Sequence, residues 1–158
     1  MSTPVFQAIV DLLDGQGISY RQVHHEPTPT SEAAAAARGE ELSIGGKALM
    51  MKVGKEFKLF VLSASLKVDS AAIKSHFGAK KLRFASADEL TELTGLVPGS
   101  VPPFGEPILP LELFVDESIR RNERIAYNAG SLTDSVVMGV EDYLRVAKPV
   151  ILGFSKSD

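Results

Sequence analysis

Residues 46–53, Gly-Lys-Ala-Leu-Met-Met-Lys-Val, and residues 57–64, Phe-Lys-Leu-Phe-Val-Leu-Ser-Ala, stand on either side of Gly54-Lys55-Glu56. Two apolar runs of strand length around a short glycine-led loop predict an antiparallel hairpin at the centre of a sheet. The rest of the chain supplies elements to surround it. Val5, Ile9, Leu12 and Leu13 recur at helical spacing after Pro4, with Gly15 and Gly17 as the stop, so 4–15 reads as an amphipathic helix. Ile18 to His24 alternate as a strand. Glu26-Pro27-Thr28-Pro29-Thr30 cannot continue it, because two prolines remove ladder donors. Thr30 or Ser31 then caps a short alanine helix ending near Gly39.

Beyond the hairpin a helix is expected at 69–77, a brief strand at 81–84 and a helix from Ser86, whose Glu89 completes a capping box. Leu96 to Pro110 is a long irregular stretch punctuated by glycine and proline. Strands follow at 111–115, 124–128 and 135–139, then a helix at 140–147 and a strand at 149–154. No linker or repeat divides the chain, so the order of elements gives an α/β (α+β) fold on a mixed sheet, with 1–158 as one domain.

A chain of 158 residues is long enough to bury roughly two-thirds of its unfolded surface without a staple. The absence of cysteine excludes a disulfide framework, a cysteine nucleophile and a thiolate-bound metal. His24, His25 and His76 form neither His-Glu-x-x-His nor His-x-His, so no metal and no cofactor are expected. Met1-Ser2-Thr3-Pro4 is no export signal and no window approaches eighteen apolar residues, which gives a cytoplasmic protein with no membrane partner as the expectation. A formal charge of −3 argues against coating DNA or RNA by sheer charge, yet leaves room for gripping an RNA end.

Three segments carry candidate chemistry. Lys47 follows Gly45-Gly46 at the head of an apolar strand, where it can clamp an anion in a cleft or simply end the strand in solvent. The loop Gly99-Ser100-Val101-Pro102-Pro103-Phe104-Gly105 is stiff enough to hold backbone N–H groups toward an oxyanion, with Gly99 and Gly105 as unobstructed donors. It is equally readable as a rigid connector with Phe104 plugging the core. Asn128-Ala129-Gly130-Ser131-Leu132-Thr133-Asp134 is a turn in which Asp134 is either a base or an Asx cap. A triad of Ser131, His24 and Asp134 can be written on paper, but there is no Gly-x-Ser-x-Gly elbow to support it.

In this order, the segments resemble the YbaK/prolyl-tRNA-synthetase-associated editing family. The resemblance runs from a strand containing Tyr20, through His25-Glu26-Pro27, the helix start Thr30-Ser31-Glu32-Ala33-Ala34 and Lys47-Ala48-Leu49, to Gly99–Gly105 and Ala129-Gly130-Ser131. The resemblance implies a single editing domain with a mixed-sheet, barrel-like core surrounded by helices. It implies hydrolysis of a wrong, small amino acid (alanine, cysteine, serine or threonine) from the acceptor end of a tRNA, typically that for proline. The tRNA's own free ribose hydroxyl would assist, with no protein nucleophile. Lys47, Gly99 and Gly105 would be the catalytic residues. Tyr20, Thr30, Ser100, Val101, Pro102, Phe104, Gly130, Ser131 and Asp134 would bind substrate.

Ser63, Ser65 and Thr133 tilt the expected substrate toward serine or threonine. Prolyl-tRNA synthetase or another synthetase is an expected partner of what would be a monomer. A non-catalytic tRNA-binding protein, or a regulator binding a small ligand in the same pocket, is the alternative. Lys52, Lys55, Lys58, Lys80, Lys81 and Arg83 are expected to be scattered contacts to tRNA rather than a dense patch.

Overall fold

A computed structural model describes residues 3–28 and 30–157. Pro29 of the proline-bearing loop therefore lies outside the described residues. In chain order the elements are α1 (Pro4–Gly15), β1 (Tyr20–His24), α2 (Ser31–Arg38), a 3₁₀ turn (Leu42–Ile44), β2 (Gly46–Val53) and β3 (Glu56–Ser63). There follow β4 (Lys67–Val68), α3 (Ser70–Phe77), β5 (Leu82–Phe84), α4 (Ala87–Thr94), β6 (Leu113–Asp116) and α5 (Glu117–Arg120). The chain finishes with β7 (Arg124–Asn128), β8 (Asp134–Gly139), α6 (Val140–Ala147), β9 (Val150–Leu152) and β10 (Ser155–Lys156).

The hairpin is central, as its apolar runs require. β2 and β3 occupy the middle of a five-stranded sheet ordered β5-β2-β3-β6-β9, antiparallel at β5/β2/β3 and parallel at β3/β6/β9. Its turn is one residue tighter than expected: Val53 pairs with Glu56, and Gly54 takes φ +61° at the first turn position, the place a type II′ turn reserves for glycine. A second sheet, β1-β8-β7, is antiparallel, and β10 pairs with β4. The mixed sheet is thus divided into three separate sheets among the described residues, with no closed barrel.

The five-stranded sheet is covered on both faces, which is why β2 and β3 read as near-continuous apolar runs. On one face Met50, Leu59, Val61, Leu113 and Val115 pack toward Ile125, Tyr127, Val136 and Met138 of the second sheet, with α1 and α6 closing the core. On the other, Met51, Phe60, Leu62 and Phe114 meet Ile73 and Phe154. Phe60 lies 5.4 Å from the Phe114 ring and 5.3 Å from that of Phe154.

The helix boundaries follow local chemistry. The Thr3 hydroxyl caps α1 through the Phe6 N–H, and Pro4 sits at a position whose N–H would be unpaired anyway. Ser86 and Glu89 form the expected reciprocal box on α4. The expected strand 149–154 is shortened to β9, and β10 follows beyond it. The 3₁₀ turn, β4 and α5 carried no sequence signal strong enough to stand out. No helix among the described residues is long and apolar enough to cross a membrane.

Candidate active site

A cavity of about 160 Å³ opens where the head of β2 meets α2, the start of the proline loop and the end of β7. It lies on an uncovered edge. β5 pairs with β2 only at Met51, Lys52 and Val53, and the Met50 carbonyl takes the Ala85 N–H at 2.9 Å. Val53 and Glu56 close the turn as a hydrogen-bonded pair, so alternation directs the peptide groups of Lys47 and Leu49 toward β3. Those of Ala48 point the other way, along the cavity edge.

Gly45 and Gly46 admit neighbouring protein to this edge. A Cβ on Gly46 would stand 2.6 Å from Ile125 Cδ1, one on Gly45 would stand 3.0 Å from Ala64 Cβ, and Gly45 bridges Ala126 of β7. The two glycines therefore let β2 start hard against the second sheet, which brings Lys47 to the cavity wall.

Helix α2 forms the facing wall through Ser31, Ala34 and Arg38, spaced i, i+3, i+7 on one face. Thr30 caps it by accepting from Ala33 N–H at 3.1 Å, and Gly39 ends it in the left-handed region at φ +70°. Alanine on the inner face keeps the wall low. Arg38 is 8% exposed. Its Nε donates to Ser135 Oγ at 2.9 Å and its Nη2 to Asn128 Oδ1 at 3.1 Å. Ser135 Oγ donates to Asn128 Oδ1 at 3.0 Å and stands 2.8 Å from His25 Nε2. Burial pulls the Arg38 pKa down to about 10, against the opposing charge of Glu40, so the guanidinium remains a buried cation at neutral pH.

The proline loop closes the third side. Asn128 Nδ2 donates to the Gly99 carbonyl at 2.8 Å, and Gly130 N–H to the Ser100 carbonyl at 2.9 Å, so the loop is tied to the β7–β8 turn. Ser100 N–H is taken by the Val97 carbonyl and Phe104 N–H by that of Pro102, while Pro102 and Pro103 have none. Among the described residues no protein acceptor takes the N–H of Gly99 or Val101, and both residues line the cavity. These are the donors a developing oxyanion could meet.

Of the expected site residues, the structure brings Lys47, Thr30, Gly99 and Val101 to the cavity. The others stand elsewhere. Gly105 borders a separate groove beside Leu12 and Val146, and a Cβ there would collide with the Leu111 carbonyl, so its glycine serves close packing. Phe104 is a core plug, edge-on to Tyr127 and Tyr143 at 5.5 Å each. Ser100 and Pro102 are buried, the Ser100 hydroxyl donating to the Val97 carbonyl at 2.8 Å. Gly130 packs on α1, where a Cβ would lie 2.6 Å from Val5 Cγ1. The Tyr20 hydroxyl donates to Asp14 at 3.0 Å, outside the cavity.

Asp134, Ser131 and His24 do meet, but in the wrong order for a triad. Asp134 stands between the other two, 2.8 Å from His24 Nδ1 and 3.1 Å from Ser131 Oγ. A serine nucleophile needs the imidazole beside its hydroxyl. Burial pushes the Asp134 carboxyl up, but hydrogen bonds with His24, Ser131 and Thr133 outweigh it and hold its pKa below the usual range.

Sequence reasoning missed Arg38, Thr28 and the side chain of Asn128, all of which line the cavity. The arginine ends a helix, where a cation that complements the dipole attracts no notice. Among the described residues the cavity lining includes no histidine or carboxylate, and no group of three or more His, Cys, Asp or Glu is placed to hold a metal.

Residues 25–146 match the family model described as aminoacyl-tRNA editing domain. The chain is 37% identical over 157 residues to the multifunctional Ser/Thr-tRNA deacylase ProXp-y of Escherichia coli K12, covering 96% of this chain and 93% of that protein. It is 35% identical over 100 residues to a proline–tRNA ligase of Shouchella clausii, covering 63% of this chain but 17% of the ligase. A solved structure described as a proposed trans-editing enzyme for prolyl tRNA synthetase superposes over 99% of this chain and all of its own, with TM-score 0.84 at 24% identity, a likeness of fold.

Proposed function

The chain belongs to the aminoacyl-tRNA editing domain family, and on that premise we propose that it is a trans-acting deacylase that removes serine or threonine from mischarged tRNA, with tRNA for proline as the acceptor. The observation that carries this reading is the 37% identity to a Ser/Thr-tRNA deacylase over 157 residues, a span that takes in every wall of the cavity.

The cavity's size and lining agree with that substrate. A space of about 150 Å³ accepts a benzene-sized molecule, and a seryl or threonyl group has about six or seven non-hydrogen atoms. Thr28, Thr30 and Ser31 supply polar partners for a side-chain hydroxyl, while Ala34 and Leu49 leave an apolar wall for a methyl. A site built to bond a hydroxyl rejects a substrate lacking it, because its own polar groups are then left unpaired.

In the reaction, water adds to the ester carbonyl carbon, the bond to the ribose oxygen breaks, and that oxygen takes up a proton. Gly99 and Val101 N–H receive the carbonyl oxygen as charge develops on it. The Lys47 ammonium orients the terminal phosphate or the amino-acid end. With no imidazole or carboxylate in the described lining, the neighbouring ribose hydroxyl of the substrate assists the attacking water. The protein's share is placement, worth on the order of 7–11 kcal/mol in favourable cases.

The test is release of amino acid from tRNA charged separately with serine, threonine, alanine and cysteine. Serine and threonine leave fastest if the reading is right. Release no faster than the uncatalysed rate from every substrate, with tRNA still bound, would replace it with a non-catalytic tRNA-binding role.

A further inference from the structure

Lys52, Lys55, Lys74, Lys80, Lys81 and Arg83 line a single groove that has no acidic residue in its lining. The chain as a whole carries 17 Lys and Arg and a net charge of −3, so this groove concentrates about a third of the cations on one side of an acidic molecule. The expectation of scattered contacts is thereby corrected. Lys58 drops out of the set: it is 7% exposed, and its ammonium is held by Glu112 at 2.9 Å and Glu56 at 3.1 Å.

The other lysines converge because β5 pairs with β2 and the loop before β5 is fixed to the hairpin turn, Gly54 N–H donating to the Lys81 carbonyl at 2.9 Å. Arg83 is engaged by Glu89 at 2.7 Å. Among the described residues no carboxylate lies within ion-pair distance of Lys52, Lys55, Lys74, Lys80 or Lys81. Like charges gathered on a fixed scaffold repel one another, and a polyanion relieves that cost.

A shallow depression that shares Ala48, Leu49, Gly99 and Val101 with the cavity reaches Phe84 and Ala85 at its far end, one residue along β5 from Arg83 of the groove. Phe84 is 58% exposed and sits beside Arg83 on β5. From Lys47 to Lys52 is five residues of extended strand, or ~17 Å, an odd step that turns the two side chains to opposite faces of β2. That distance carries a single-stranded RNA end several nucleotides back from its terminus.

We propose that this groove is the docking surface for the tRNA backbone upstream of the 3′ end, with Phe84 as a platform on which a base of the unpaired end stacks. The inference rests on the deacylase reading for its orientation, with the aminoacyl ester in the cavity and the phosphates in the groove. Lysines supply the sequence-independent attraction, and an exposed aromatic ring adds base stacking without base choice.

The experiment uses two variants with exposed substitutions, the triple Lys55→Gln/Lys80→Gln/Lys81→Gln and the single Phe84→Ala, each checked by circular dichroism. Binding of uncharged tRNA is measured by fluorescence anisotropy across a salt series. In parallel, single-turnover hydrolysis is measured on seryl-tRNA and on seryl-adenosine, which is too short to reach the groove. The triple variant is expected to bind tRNA about tenfold or more weaker, with a log–log salt slope lowered by about one unit per lysine lost. It should hydrolyse seryl-adenosine at the wild-type rate, and Phe84→Ala should weaken tRNA binding with little change in slope. Unchanged tRNA affinity and slope in the triple variant would overturn the proposal. Failure of the wild-type protein on both esters overturns the deacylase reading instead, and the anisotropy series still decides the groove.

Discussion

The Asn128 side-chain amide donates to the Gly99 carbonyl at 2.8 Å, joining the end of β7 to the head of the proline loop across the mouth of the cavity. The same side chain accepts from Arg38 and Ser135 through its Oδ1. It therefore ties the loop to α2 through Arg38 and to β8 through Ser135. Asn128→Ala leaves a carbonyl and a guanidinium short of partners in a buried place, at a cost of about 1–3 kcal/mol. The expected outcome is a lower melting temperature together with a fall in single-turnover rate beyond that explained by the unfolded fraction.

Gly105 and the cavity are separable. Because a Cβ at Gly105 runs into the Leu111 carbonyl, Gly105→Ala is expected to destabilise by about 1–3 kcal/mol, as overpacking does. Its deacylation rate per folded molecule should stay within a few-fold of wild type. A well-folded Gly105→Ala protein with no activity would return Gly105 to the chemistry.

Lys47 presents the opposite pattern. It sits half-buried at the strand head on the cavity wall, so Lys47→Ala should leave the melting temperature nearly unchanged and lower the rate by about a hundredfold, comparable to loss of one preorganised electrostatic contact. Lys47→Arg keeps the charge and should recover part of it. Equal rates for wild type and Lys47→Ala would remove the lysine from the mechanism.

What the sequence made legible was encoded locally or by a motif. The hairpin, α1 and the Ser86–Glu89 box all rest on residues a few positions apart. Lys47, Thr30, Gly99 and Val101 were legible through their motifs. Arg38 and Asn128 were not, because their meeting depends on pairing that brings residues 90 positions apart together. Gly105 was misread for a related reason: a glycine shows that something comes close, and only the fold reveals that it is the Leu111 carbonyl. The lysines of the basic groove looked scattered because β5 returns to β2 only after α3 has intervened.

The last prediction concerns acid stability. Glu40 follows the Gly39 cap of α2 and is shared by two strands of the second sheet, with Arg124 of β7 at 2.9 and 3.0 Å and Arg21 of β1 at 2.6 Å. Its side chain is 11% exposed. Hydrogen bonds from Arg124, then Arg21, outweigh burial and lower its pKa from the ordinary 4.5. A carboxylate with a depressed folded-state pKa binds fewer protons folded than unfolded, so stability rises with pH across the interval between the two values. Its contribution is therefore complete above about pH 4.5 and is lost as pH falls through the lower, folded value. Glu40→Gln removes this titration. Melting temperature measured from pH 6 down to pH 3 should fall less steeply in Glu40→Gln than in wild type, with the two curves drawing together toward the acid end. Parallel curves would show that the Arg21–Glu40–Arg124 bridge does not hold α2 to the sheet in solution. Because α2 carries Arg38, loss of the bridge should also lower deacylation at neutral pH, where the carboxylate would otherwise be ionised.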